Sequence, residues 1–262
     1  MNQTLRRRPW KGAQTVERKQ QNQTERIKHM NMKTESMGSL KESVASELND
    51  NHSTVRPVVA VALALWLGLV FLLGAQGAFV GSAGSPPLPI FFGFAIPLVV
   101  FFAAYFGWSA FRAFVLGADL RLAAAIQAWR WAGLGFLSLN AQGVLPGLFA
   151  FPAGLGDMAI GVAAPWIVLG LVRHPAFATS QRFVIWNIMG ILDLIVAVSM
   201  GTLCSGFLRG FTGNVTTSAM AQLPLVLIPA YFVPFFIMLH FTALAQARRL
   251  ARSGNSGLAQ CI

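Results

Sequence analysis

Charge is what this chain has least of. Only 11% of its 262 residues are Asp, Glu, Lys or Arg, and acidic residues number nine. Average soluble domains carry about 25% charged residues, so the composition excludes an ordinary water-soluble globular domain. Cysteine is equally scarce, with Cys204 and Cys261 alone. Two cysteines give neither a disulfide framework nor a metal-ligand spacing, and the topology derived below puts them on opposite sides of a membrane. Phosphate-binding Gly-x-x-x-x-Gly-Lys loops are missing, which argues against nucleotide binding. So are His-x-x-x-His pairs, paired intramembrane Asp motifs and any Ser–His couple at matched depth, so an intramembrane enzyme is disfavoured. No metal and no cofactor is implied.

What the chain has is long apolar runs, 55% hydrophobic residues and a net charge of +11. That charge is unevenly spread. Eleven of the twenty Lys and Arg precede Pro57, and most of the rest flank apolar segments, as orientation signals do. The distribution argues against nucleic acid as a partner and for a lipid bilayer.

Residues 1–56 are polar, with Trp10 as their one aromatic. Such a segment cannot bury enough apolar surface to offset its ordering entropy, and it reads as a disordered cytoplasmic arm. Arg6, Arg7, Arg8 and Lys11 are suited to anionic headgroups; a plain solvated tail is the alternative. Met30, Met32 and Met37 are alternative starts.

Residues 57–247 read as an all-α, polytopic helix bundle of about six spans, followed by a short tail, 248–262. A crossing helix needs about 20 apolar residues. The spans fall near residues 58–80, 88–111, 122–139, 155–172, 183–204 and 224–246. The first is too long and too deep in the chain for a usual signal peptide. Basic residues number eleven, two, two and three on one side, and none, none and one on the other. Both termini are therefore expected in the cytoplasm. Residues 140–154, rich in Pro and Gly, are expected to be irregular at the interface.

A charge at membrane depth costs about 2.5 kcal/mol or more and by default marks a functional site with a partner. The candidates are Gln127, Arg130, Asp157, Asn187, Asp193 and His240. With a rise of about 1.5 Å per residue, Arg130, Asp193 and His240 lie roughly 12, 15 and 9 Å from the cytoplasmic ends of their spans. Gln127 and Asn187 join that layer from a shallower level. Gln127 and Arg130, three apart, share a face. Arg130 with Asp193 is the depth-matched ion pair. Asp157 falls near the outer end of its span, roughly 10 Å from Arg130 along the membrane normal, where it would cap its helix or meet Asn140 or Gln142. The ion pair is read either as helix glue or as part of a solute path, and His240 either as a packing residue or as a proton acceptor. Gly133, Gly135, Gly154, Gly156, Gly161 and Gly190 permit close helix packing. Pro97, Pro229 and Pro234 free backbone carbonyls. The Phe and Trp residues are lipid-facing bulk and interface anchors.

Four stretches carry a resemblance: residues 127–130 (Gln-Ala-Trp-Arg), 145–157 with Pro146, Pro152 and Asp157, 186–193 (Trp-Asn-Ile-Met-Gly-Ile-Leu-Asp), and the last span with His240. Together they resemble a family of uncharacterised bacterial inner-membrane proteins over about residues 58–250. The resemblance implies a membrane protein of bacterial origin and carries no activity, substrate or cofactor. The expected function is a small solute or ion permease with a buried polar layer, acting as a homo-oligomer; the alternative is a structural or accessory membrane subunit.

Overall fold

The computed structural model describes residues 55–82, 84–208 and 214–259, with residues 28, 30, 32 and 33 in isolation. The chain divides into two units, Met1–Thr54 and Val55–Ile262. The readings made for the arm, for Arg209 and for Cys261 lie outside the described residues.

Among the described residues every regular element is helical. The elements are α1 (Val55–Ala75), α2 (Leu88–Gly107), α3 (Ser109–Leu116), α4 (Leu120–Ile126), α5 (Leu134–Ala141), α6 (Gly147–Arg173), α7 (Gln181–Leu203) and α8 (Val233–Ala259). A 3₁₀ helix, Gln127–Gly133, joins α4 to α5, and a π-helical turn, Ile228–Phe232, precedes α8. Five helices are long and apolar enough to cross a membrane: α1, α2, α6, α7 and the run Ile228–Arg252.

Three boundaries differ from expectation. The third apolar segment, expected as one helix, is broken into α4, the 3₁₀ helix and α5. Residues 147–154, expected to be irregular, are the first two turns of α6. Pro146 fixes an extended entry to that helix, and Pro152 inside it loses one backbone bond that close neighbours can absorb. The expected tail begins as helix, since α8 runs on to Ala259. Elsewhere local chemistry sets the ends. Asp119 caps α4, accepting from Arg121 N at 2.8 Å, and Ser180 caps α7, accepting from Phe183 N at 3.3 Å. Trp108, extended, divides α2 from α3.

Burial is inverted relative to a soluble protein. Leu65 is 69% and Val99 65% exposed, and α2 buries none of its residues, whereas Arg130 and His240 are buried. In water so large an apolar surface would drive association; it is compatible with membrane integration, where lipid is the solvent. The core has an apolar layer of Ala124, Ile160, Ala164, Leu171, Phe183 and Ala243, and another of Phe136, Leu145, Phe149, Ala153 and Met220. Along α6 and the α4–α5 segment the polar residues fall between these two layers. Gln246 fastens α8 to the end of α3 by donating to Val115 O and Ala118 O, both at 2.9 Å, which satisfies carbonyls that a helix end leaves open.

Glycine sets how closely the segmented helix meets α6. A Cβ on Gly133 would lie 2.6 Å from Asp157 Cβ, and one on Gly161 would overlap the Trp131 amide and approach Arg130 C at 2.9 Å. Gly135 differs from the other five glycines of the expected set, since a Cβ there meets nothing within 4 Å. Gly161→Ala should therefore cost about 1–3 kcal/mol, because backbone rather than a pliable side chain must yield. Gly135→Ala should be neutral or stabilising by up to about 1 kcal/mol. Thermal unfolding of the two variants in mild detergent checks the contrast, and equal melting would refute it.

Candidate functional site

After residue 56 the chain holds three acidic residues, Asp119, Asp157 and Asp193. Asp119 serves as a cap, and the other two meet at Arg130. The 3₁₀ helix explains how Arg130 is aimed. With three residues per turn, positions i and i+3 eclipse, and Gln127, Arg130 and Gly133 form the buried line of that helix. Trp129 and Trp131, between them, point outward.

Arg130 is 2% exposed, and its guanidinium is bonded on three sides. Its Nε donates to Asp157 Oδ1 at 2.7 Å, and its Nη2 donates to Asp193 Oδ2. Its Nη1 donates to His240 Nε2 at 3.1 Å and to Gly190 O at 3.4 Å. The Phe236 ring lies 5.9 Å from its central carbon, within cation–π range. Arginine has no acceptor atom, so His240 Nε2 must be the unprotonated nitrogen. The proton is then on Nδ1, which donates to Asn187 Oδ1 at 2.9 Å, and Asn187 Nδ2 donates to Phe183 O at 2.8 Å. The chain of bonds has one consistent direction, and His240 within it is neutral.

The layer therefore contains all six expected residues, with one correction. Asp157 is not a cap at the outer end of its span and does not meet Asn140 or Gln142. Asn140 donates to Leu145 O, and Gln142 donates to Ser138 Oγ. Because α6 begins at Gly147, Asp157 is its eleventh residue, about 15 Å along the helix. Asp193, ten residues from the end of the antiparallel α7, is also about 15 Å from that side. The two carboxylates are level, so Arg130 takes both rather than Asp193 alone. Asp157, Asp193 and His240 thus share one depth, and the Arg130 guanidinium occupies the point on which they converge. Among the described residues no group of His, Cys, Asp or Glu suits a metal ion.

Two glycines make room for the layer. A Cβ on Gly156 would overlap the Asp193 carboxylate, and one on Gly190 would overlap the His240 imidazole. Trp186 holds His240 edge-on, with ring centroids 5.4 Å apart, and anchors its own indole N–H on Ile160 O at 3.3 Å. Gln127 Nε2 donates to Phe236 O at 3.3 Å, while its Oε1 has no partner among the described residues.

A cavity of about 280 Å³ reaches this layer from the end where α1 meets α2 and α7 meets the 3₁₀ turn Thr217–Ala221. Asp157 is in its wall, together with Phe94, Phe136, Phe149, Thr202 and Thr217. Sequence reasoning missed these neutral residues. They are spread over five separate stretches with no spacing in common, and Phe149 falls in the segment expected to be irregular.

A family model described as "Domain of unknown function (DUF8737)" matches residues 87–248, and the chain belongs to that family. No curated protein and no solved structure matches it.

Charge arithmetic orders the variants. Arg130→Gln leaves two level carboxylates without a counter-charge and should cost about 3–5 kcal/mol or abolish folding. Asp157→Asn and Asp193→Asn each leave a one-to-one pair and should be milder. The yield of monodisperse protein in mild detergent checks this order; an Arg130→Gln variant as stable as either Asn variant would contradict it.

Proposed function

We propose that this member of the DUF8737 family is a small permease of six spans, with its polar layer as the solute-binding level. The observation that carries the reading is the access of the cavity to Asp157. A charge cluster that only glues helices gains nothing from an open approach. Water at the pair raises the local dielectric and weakens it, and packing usually seals such pairs. Here the layer of Ala124, Ile160, Ala164 and Phe183 closes one side, while the other side opens to a cavity ending on a carboxylate. One-sided access to a mid-depth site is the shape alternating access requires. The segmented third helix and the π-turn at Ile228–Phe232 are elements of the kind found at hinges and functional sites.

Positive-inside counting puts the cavity mouth on the face away from the cytoplasm and both termini within it. The four stretches that resemble uncharacterised bacterial inner-membrane proteins support that membrane as its location. The second reading, an accessory subunit, draws on the same ion cluster as helix glue and would have Asp157 open to the cavity for no purpose.

Two measurements bear on this. In proteoliposomes, uptake of a panel of labelled amines, carboxylates and neutral solutes should exceed that of empty vesicles for at least one class, and Asp157→Asn should remove the excess. Rates equal to empty vesicles across the panel would sink the permease reading, and a stoichiometric co-purifying partner would then favour the accessory one. For topology, Ser218→Cys should react with a membrane-impermeant maleimide added outside intact cells. Reaction solely after the cells are opened would reverse the orientation.

A further inference from the structure

Taking the proposed solute site as given, we infer that its ligand is a small organic ammonium ion, an amine or quaternary ammonium with an apolar body. Three independent features of the cavity point to it.

The first is charge. Asp157 is the one charged side chain among the described lining residues. Behind it a single guanidinium serves two carboxylates, and His240 contributes no positive charge, because its Nε2 accepts from Arg130. The layer thus holds two carboxylates and one guanidinium, and Asp157, one of the two carboxylates, lines the cavity.

The second is the supply of hydrogen-bonding atoms. An anion needs donors, and three of the hydroxyls that line this cavity have committed theirs to the backbone. The Thr202 hydroxyl donates to Val198 O at 2.9 Å, that of Thr217 to Gly201 O at 2.6 Å, and that of Ser85 to Ser82 O at 2.7 Å. What these side chains turn to a ligand is oxygen lone pairs. Ser205 Oγ, buried in the same wall, has no partner among the described residues.

The third is aromatic surface. Phe79, Phe91, Phe94, Phe136 and Phe149 all line the cavity. Ring faces attract cations, quaternary ammonium most characteristically, and repel anions. A cavity lined by phenyl rings, one carboxylate and hydroxyls that can accept is suited to an alkylammonium head and its hydrocarbon body. A bare metal ion would find too few oxygens at one point.

The test uses the full chain in lipid nanodiscs and three probes that share one apolar body: 2-phenylethylammonium, 2-phenylethanol and phenylacetate. Binding is measured by equilibrium dialysis against empty nanodiscs, which correct for partition into lipid. The ammonium should bind saturably and about tenfold more tightly than the alcohol, with phenylacetate weakest. Asp157→Asn should bring ammonium and alcohol to within about twofold of each other. If that variant fails to fold, Phe91→Leu, near the mouth, should weaken the ammonium more than the alcohol. Equal binding of ammonium and alcohol, or preference for phenylacetate, would overturn the ammonium assignment and leave the solute site standing. Absence of saturable binding by any of the three would overturn the assignment and count against the site as well.

Discussion

One guanidinium, that of Arg130, is the constraint around which this bundle is built. A charge of that kind far from water is affordable only with partners on every side, and the chain supplies them from three other helices. Asp157 comes from α6, Asp193 and the Gly190 carbonyl from α7, and His240 from α8. Losing any of these directions would leave a buried donor of Arg130 without its partner. The glycines follow from the same demand. Gly156 and Gly190 clear the volume that the Asp193 carboxylate and the His240 ring fill, and Gly133 and Gly161 bring the helix carrying Arg130 against α6.

The layer is asymmetric in two ways, and both underlie the proposed binding site. Its charge does not balance, with two carboxylates about one guanidinium. Its surroundings do not match either. Toward the α4 end it is sealed by apolar residues, and toward the α1–α2 connection it meets a phenyl-lined cavity. A pure helix clamp needs neither the second carboxylate nor the cavity, since each adds to the cost of burial. Keeping both is explicable if something cationic visits.

Much of this was legible before any fold was known. The polar residues were visible because each is anomalous in an apolar run, and the spacing of Gln127 and Arg130 already put them on one face. What misled the reading was a boundary. Pro146, Pro152 and four glycines within residues 143–156 look like helix breakers, so the fourth helix appeared to start near residue 155 and Asp157 appeared to be its cap. In lipid those residues are tolerated within a helix when neighbours pack closely. A shift of eight residues moved Asp157 by about 12 Å, enough to separate it from Arg130 on paper. The break in the third segment was hidden for the opposite reason, since residues 122–139 contain no proline and the 3₁₀ turn is imposed by close contact with α6.

The sequence by itself determined the class of molecule, the asymmetry of basic residues about its apolar segments and which six polar residues stand out within them. Those are properties of composition and of order along the chain, which transfer free energies sort locally. Tertiary structure alone decided which carboxylates Arg130 meets, which nitrogen of His240 carries its proton, and that a phenyl-lined cavity ends on Asp157. Each of these depends on where four helices cross and how closely glycine lets them approach. That depends on distances between residues tens of positions apart, which no local pattern encodes.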